Sequence, residues 1–226
     1  FAEYTAAYNA DDPKIKLKID HTYRVAALCE RIAKAAGMSA YDIELAWLSG
    51  MLHDVGRFEQ IKRYNTFSDA DSVDHAKFGA DLLFKDGLIS TFLKGMVKCT
   101  GYKPGALEDR YDSDGVFLYD RLNKSDMEML ELAIRCHNMY RIPQGLNRRE
   151  QAFCNVLRDA DKVDIFKVNI DTPLEEIYNT TTEELMKSDI TDEVLEAFDE
   201  EHCILKAIRR TPADTVIGHV SLAYEL

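Results

Sequence analysis

The stretch "SGMLHDVGRFEQ", residues 49–60, sets a histidine beside an aspartate at the end of an apolar run. Leu45, Ala46, Trp47, Leu48, Met51 and Leu52 lead into His53 and Asp54. A charged carboxylate costs free energy in such surroundings unless something pairs with it. A metal ion is one such partner, and it requires further ligands from the rest of the chain. The polar residues on otherwise apolar helical faces are His21, the His53-Asp54 pair, His75, His137 and Asp161. Imidazole and carboxylate form the ligand set for Zn, Mn, Fe, Co or Ni. Asp54 has two oxygens and can bridge two ions, whereas an imidazole has one free lone pair to offer.

Apart from the adjacent pair, each of these residues falls on a different expected helix. Bundles build metal sites in this way, from inward side chains of facing helices. His21, Val25, Leu28 and Ile32 recur at helical spacing, with Asp20 as the expected N-cap and Gly37 as the stop. Ser39 and Asp42 resemble a loose capping box that opens a helix running into His53 and Asp54. Residues 56–74 read as a loop, and Asp74 reads as the cap of a helix through about Lys85, ended by Gly87. "LISTFLKGMVKC" reads as a short helix, and residues 100–115 as a surface loop. Ser125 with Glu128 reads as a second capping box before Leu130, Ile134 and His137. Asn147 with Glu150 opens a helix that carries Phe153, Leu157, Asp161 and Asp164 along one side. The segment from Asp171 to Arg210 reads as one or two acidic amphipathic helices. "TVIGHVSLAYEL" reads as a short strand pair or an ordered tail. With no other run of strands, the expected class is all-α.

The order of "HTYRVA", "MLHDVG" and "ADKVD" resembles the HD-domain metal-dependent phosphohydrolase superfamily, over roughly residues 20–167. The resemblance implies a helical bundle with a metal site in its core. It assigns the first site to His21, His53, Asp54 and Asp161, with Asp161 preferred to Asp159. "DHAKFGA" and "RCHN" match the family's two-metal branch and imply a second site of His75 and His137, bridged by Asp54. Asp54 and Arg57 are the implied catalytic residues. Arg57 follows where many family members carry lysine, and it can hold a substrate phosphate. Lys62, Arg63, Tyr64 and Phe67 are weaker candidates on the same segment, while His202 and His219 match no motif. The implied division is an HD metal-dependent hydrolase domain at 1–170 and a C-terminal helical extension at 171–226, packed on the same domain.

The expected activity is metal-dependent phosphoester hydrolysis of a nucleotide or other small phosphorylated metabolite. The cofactor would be one or two divalent ions (Mn, Fe, Mg, Ni, Co or Zn). Two alternatives share the sequence pattern: a di-iron HD-type oxygenase, and a non-enzymatic sensor or binding domain. The "GYP" piece of the cyclic di-GMP branch is missing. The formal net charge of -12 argues against a broad surface for duplex nucleic acid, though not against a small anion beside a metal. No apolar run is long enough for a membrane span. The N-terminal "FAEYTAAYNADD" is polar and acidic and does not read as a signal peptide. Five cysteines without a CxxC pair read as free thiols in a reducing cytoplasm. A homo-oligomer is compatible with the sequence.

Overall fold

The computed structural model describes residues 1–98, 122–178 and 180–225. Among these the secondary structure is helical and contains no strand, so the all-α class holds. The chain forms two compact units, Phe1–Ala160 and Asp161–Leu226. The boundary falls inside one long helix.

The first unit opens with α1 (Ala2–Thr5) and α2 (Pro13–Ala35). Asp20 is not the cap of α2 but lies inside it. The helix starts earlier because Pro13 occupies its first turn and the Asp12 side chain accepts from Lys14 N at 2.8 Å. Gly37, at φ +68°, ends the helix as its sequence position predicts. Ser39 caps α3 (Ala40–Leu52) by accepting from Asp42 N at 3.1 Å.

The expected loop over 56–74 is corrected at its start. Val55–Tyr64 forms α4, because Val55, Phe58 and Ile61 recur at helical spacing and are buried. Asn65, at φ 52°, ends it. Asp74 caps α5 (His75–Ala80), which continues as a π-helical turn over Asp81–Lys85. Next come α6 (Ile89–Lys98), α7 (Lys124–Cys136) and α8 (Arg148–Asp171). The capping box of α7 is Asn123 with Asp126, not Ser125 with Glu128. Asp126 is tied down further by the Tyr41 hydroxyl and the Arg149 guanidinium. Asn147 and Glu150 make the expected reciprocal pair at the start of α8. The expected loop at 100–115 and Cys99 lie outside the described residues.

The main core joins α2, α3, α7 and α8 through Val25, Cys29, Leu45, Leu48, Leu52, Leu130, Ile134, Phe153 and Leu157. Each fully buried aliphatic or aromatic side chain contributes roughly 1.5–3 kcal/mol. Gly50 allows α3 to lie close on α2: a Cβ there would stand 2.6 Å from Ala26 Cα.

The second unit continues α8 and adds α9 (Leu174–Tyr178), α10 (Thr182–Met186), α11 (Asp192–Asp199) and α12 (Pro212–Val220). Short 3-10 turns cover Lys206–Ile208 and Ser221–Glu225. The C-terminal segment, read as a short strand pair or an ordered tail, is therefore helical rather than stranded. Thr211 and Asp214 form a capping box around Pro212. The buried Asp214 carboxylate also accepts from the backbone of Thr191 and Arg210. Four described cysteines, Cys29, Cys136, Cys154 and Cys203, are buried, and none of them forms a disulfide. Among the described residues, no helix is long and apolar enough to cross a membrane.

Candidate metal centre

Helix α3 ends at Leu52 with His53 as its C-cap, and α4 begins at Val55 with Asp54 as its N-cap, so these two residues form the whole junction. The last carbonyls of a helix have no partner within it. His53 Nδ1 takes one of them, Gly50 O, at 2.7 Å. His137 does the same at the end of α7, where its Nδ1 donates to Ile134 O at 2.7 Å. In both rings the donated proton sits on Nδ1, which leaves Nε2 as the lone-pair nitrogen. His21 comes from the middle of α2, and His75 is the first residue of α5.

Two glycines bring α5 up to the junction. A Cβ at Gly56 would stand 2.3 Å from His75 O and 2.7 Å from Gly79 N. A Cβ at Gly79 would stand 2.9 Å from Gly56 N. A side chain at either position would have to push the two backbones apart, and His75 with them.

His21, His53, Asp54, His75 and His137 are all buried. Asp54 divides its two oxygens between two groups. Oδ2 faces His21 Nε2 and His53 Nε2, each at 3.5 Å. Oδ1 faces His75 Nε2 at 3.6 Å and His137 Nε2 at 3.8 Å. The nitrogens of each pair are close, with His21 Nε2 at 3.3 Å from His53 Nε2 and His75 Nε2 at 3.1 Å from His137 Nε2. His21, His53 and Asp54 form one constellation able to hold a metal ion, and Asp54, His75 and His137 form another.

Electrostatics act on two of these donors, Asp54 and His75. Burial pushes the Asp54 carboxyl up, but Lys18 first, then His53 and His75, outweigh it and hold the group well below the usual carboxylate range. Burial, aided by Arg57, lowers His75 below the ordinary imidazole value against the opposing pull of Asp69 and Asp54. His75 donates Nδ1–H to Asp69 at 2.7 Å, so its bare nitrogen is Nε2 as well. Burial raises the Asp69 carboxyl, but His75 and Arg57 together carry it below the ordinary value.

The donor set fits a divalent cation. Nitrogen lone pairs about 3 Å apart, facing a carboxylate, repel one another unless a positive charge lies among them. Metal–nitrogen bonds of about 2.0–2.1 Å at right or tetrahedral angles place two nitrogens roughly 2.9–3.4 Å apart. Both histidine pairs fall in that range.

Three further residues shape the centre without having been singled out by the sequence. Lys18 donates to Asp54 Oδ2 at 2.7 Å from α2, one helical turn before His21. Its offset of three residues from His21 was the signal available. Asp69 and Gln60 had none, because both fall in the segment 56–74 that reads as a loop. Gln60 is fully buried and donates to Asp69, Ser72 and Val73 O. Asn138 bridges Asp69 and Asp74. A third constellation, Asp69, Asp74 and His75, is only partly buried, and its carboxylates are engaged by these contacts.

Arg57 lies beside the centre but turns its NH1 to Gln60 Oε1, Phe67 O and Asp69 Oδ1 at 2.6–2.8 Å. Its Nε makes no hydrogen bond and stands 3.9 Å from Asp54 Oδ1. Phe67 lies between two cations, with Lys18 Nζ at 5.5 Å and Arg57 Cζ at 5.9 Å from its ring centre. Lys62 and Arg63 pair with Glu59 at the surface, and Tyr64 is exposed. Asp161 is the first residue of the second unit, on the same helix as Phe153 and Leu157 of the first. His202 is exposed, and His219 belongs to the second unit, where its ring meets the Tyr178 hydroxyl at 3.0 Å.

A family model described as HD domain matches residues 19–208 of the chain. No curated protein and no solved structure matches it.

Proposed function

Since the chain belongs to the HD domain family, we propose that it is a metal-dependent phosphohydrolase acting on a nucleotide or another small phosphorylated metabolite. The observation that carries this reading is the division of Asp54, with one oxygen toward His21 and His53 and the other toward His75 and His137. The proposed ligands are His21, His53, Asp54 and Asp161 for a first divalent ion, and Asp54, His75 and His137 for a second. Divalent ions on such donors supply Lewis acidity toward phosphoryl oxygens and a hydroxide nucleophile near neutral pH.

The chain's own residues do the rest. Four imidazoles are fixed by the helices that carry them, and three of them by an Nδ1–H contact, so little reorganisation is needed when a ligand arrives. Asp54 stays ionised and provides the negative charge that two nearby cations require. Arg57 and Lys18 place positive charge at the edge of the centre, which suits a phosphate despite the acidic chain.

The test is metal analysis of protein purified without chelator, followed by a screen of phosphorylated metabolites for phosphate release. Phosphate release that depends on the bound metal supports the reading. The same shared-carboxylate geometry is compatible with a di-iron oxygenase, the second reading. Bound iron, oxygen uptake and no phosphate release would establish that reading instead.

A further inference from the structure

The oxygen of Asp54 that faces His21 and His53 is also the one that Lys18 holds. Lys18 Nζ lies 2.7 Å from Oδ2, inside the 3.5 Å at which both histidine nitrogens stand. Besides this carboxylate, Lys18 Nζ lies against the face of Phe67, 5.5 Å from the ring centre. The Lys18 side chain is 17% exposed, while Asp54 is 2% exposed. The ammonium therefore sits at the boundary between the buried carboxylate and solvent, with a flexible stem that allows it to retreat. Arg57, on the Oδ1 side, is different: its charge is matched by Asp69 at 2.8 Å.

We propose that Lys18 is a resident cation that competes with a divalent ion for Asp54 Oδ2 and so sets the metal affinity of the group formed by His21, His53 and Asp54. This inference rests on the metal-site reading above. A divalent ion sharing Oδ2 with the ammonium meets a like charge a few ångströms away in a region of low dielectric, where such repulsion is strong. Binding there requires the lysine to give up its contact or to tolerate the repulsion. Either way the lysine weakens the first group relative to the same ligands without it. It thereby ties occupancy of this group to the metal concentration around the protein.

The experiment is a calorimetric Mn2+ titration of the wild-type chain, Lys18→Met and Lys18→Arg, with helicity checked by circular dichroism. Lys18→Gln replaces Lys18→Met if the latter does not fold. The expected result is at least about tenfold tighter Mn2+ binding in Lys18→Met, with Lys18→Arg within about threefold of wild type. The gain should vanish in the Lys18→Met/His53→Ala double variant, which places it at the first group. Unchanged or weaker binding in the neutral variant, beside a wild type that binds, would overturn the role of Lys18 and leave the metal site standing. Equal tightening in Lys18→Arg would also overturn it. If no form binds Mn2+, the metal-site reading fails, and this inference fails with it.

Discussion

Asp69 accepts the Nδ1 proton of His75 at 2.7 Å, and that contact leaves His75 Nε2 facing His137 Nε2 at 3.1 Å. Carboxylates behind a ligating imidazole fix its tautomer and raise its basicity, and losing one costs about 10–100-fold in metal affinity. Asp69→Asn should weaken binding at the Asp54, His75, His137 group by that factor while leaving the His21, His53, Asp54 group unchanged. Metal titration in wild-type and His75→Ala backgrounds checks this. An equal loss in both backgrounds would mean that Asp69 acts through the fold rather than through the ring.

Asp161 should bind metal and Asp159 should not. The motivation is the "ADKVD" register, with Asp161 one turn after Leu157 on α8. Metal content of the two alanine variants separates the cases. Equal retention in both, or loss only in Asp159→Ala, would move the register.

Gly56→Ala should destabilise the first unit. Its Cβ would meet His75 O at 2.3 Å, Gly79 N at 2.7 Å and Gly79 Cα at 2.9 Å, all of them backbone atoms that cannot swing aside. Overpacking of this kind costs about 1–3 kcal/mol or more. Urea unfolding should show that loss, together with weaker metal binding at the His75 group. A Gly56→Ala chain as stable as wild type would contradict the close approach of α4 and α5.

The legible part of this architecture was the part that repeats at helical spacing. His21 with Val25, and His137 with Ile134, lie on buried stripes, and these positions fall where the periodicity places them. Caps were legible when the capping residue directly adjoined the apolar run, as at Ser39, Asp74 and Asn147. They were misplaced when a competing polar residue lay nearby, as with Asp20 for Asp12 and Ser125 for Asn123. Helix α4 reads as a loop because Asp, Gly and Arg at its start resemble a turn, while its stability comes from burying Phe58 and Ile61. The roles of Asp69 and Gln60 arise from tertiary contact alone, which no local pattern encodes, while Lys18 is marked only by its offset of three residues from His21.

The second unit should lose stability on acidification through His219. Burial first, then Arg209 and Lys206, lowers this imidazole from 6.5 to about 4 in the folded chain. Between those values the unfolded chain binds the proton and the folded chain does not. Stability is therefore full above about pH 6.5 and falls as pH drops toward 4, by up to roughly 3 kcal/mol. Urea melts at pH 7 and pH 5 should show a smaller pH difference for His219→Gln than for wild type. An identical pH difference in both would assign the acid sensitivity to other groups.

The central claim is that one buried carboxylate joins two metal sites, and metal per chain tests it most directly. Wild type, His75→Ala/His137→Ala and Asp54→Ala would be loaded with excess Mn or Fe, desalted and analysed by mass spectrometry. Asp54 faces all four imidazoles, so the expected stoichiometries are two, one and none, with the far-ultraviolet spectrum of each variant still helical. An Asp54→Ala chain that folds and keeps the wild-type metal content would contradict the account.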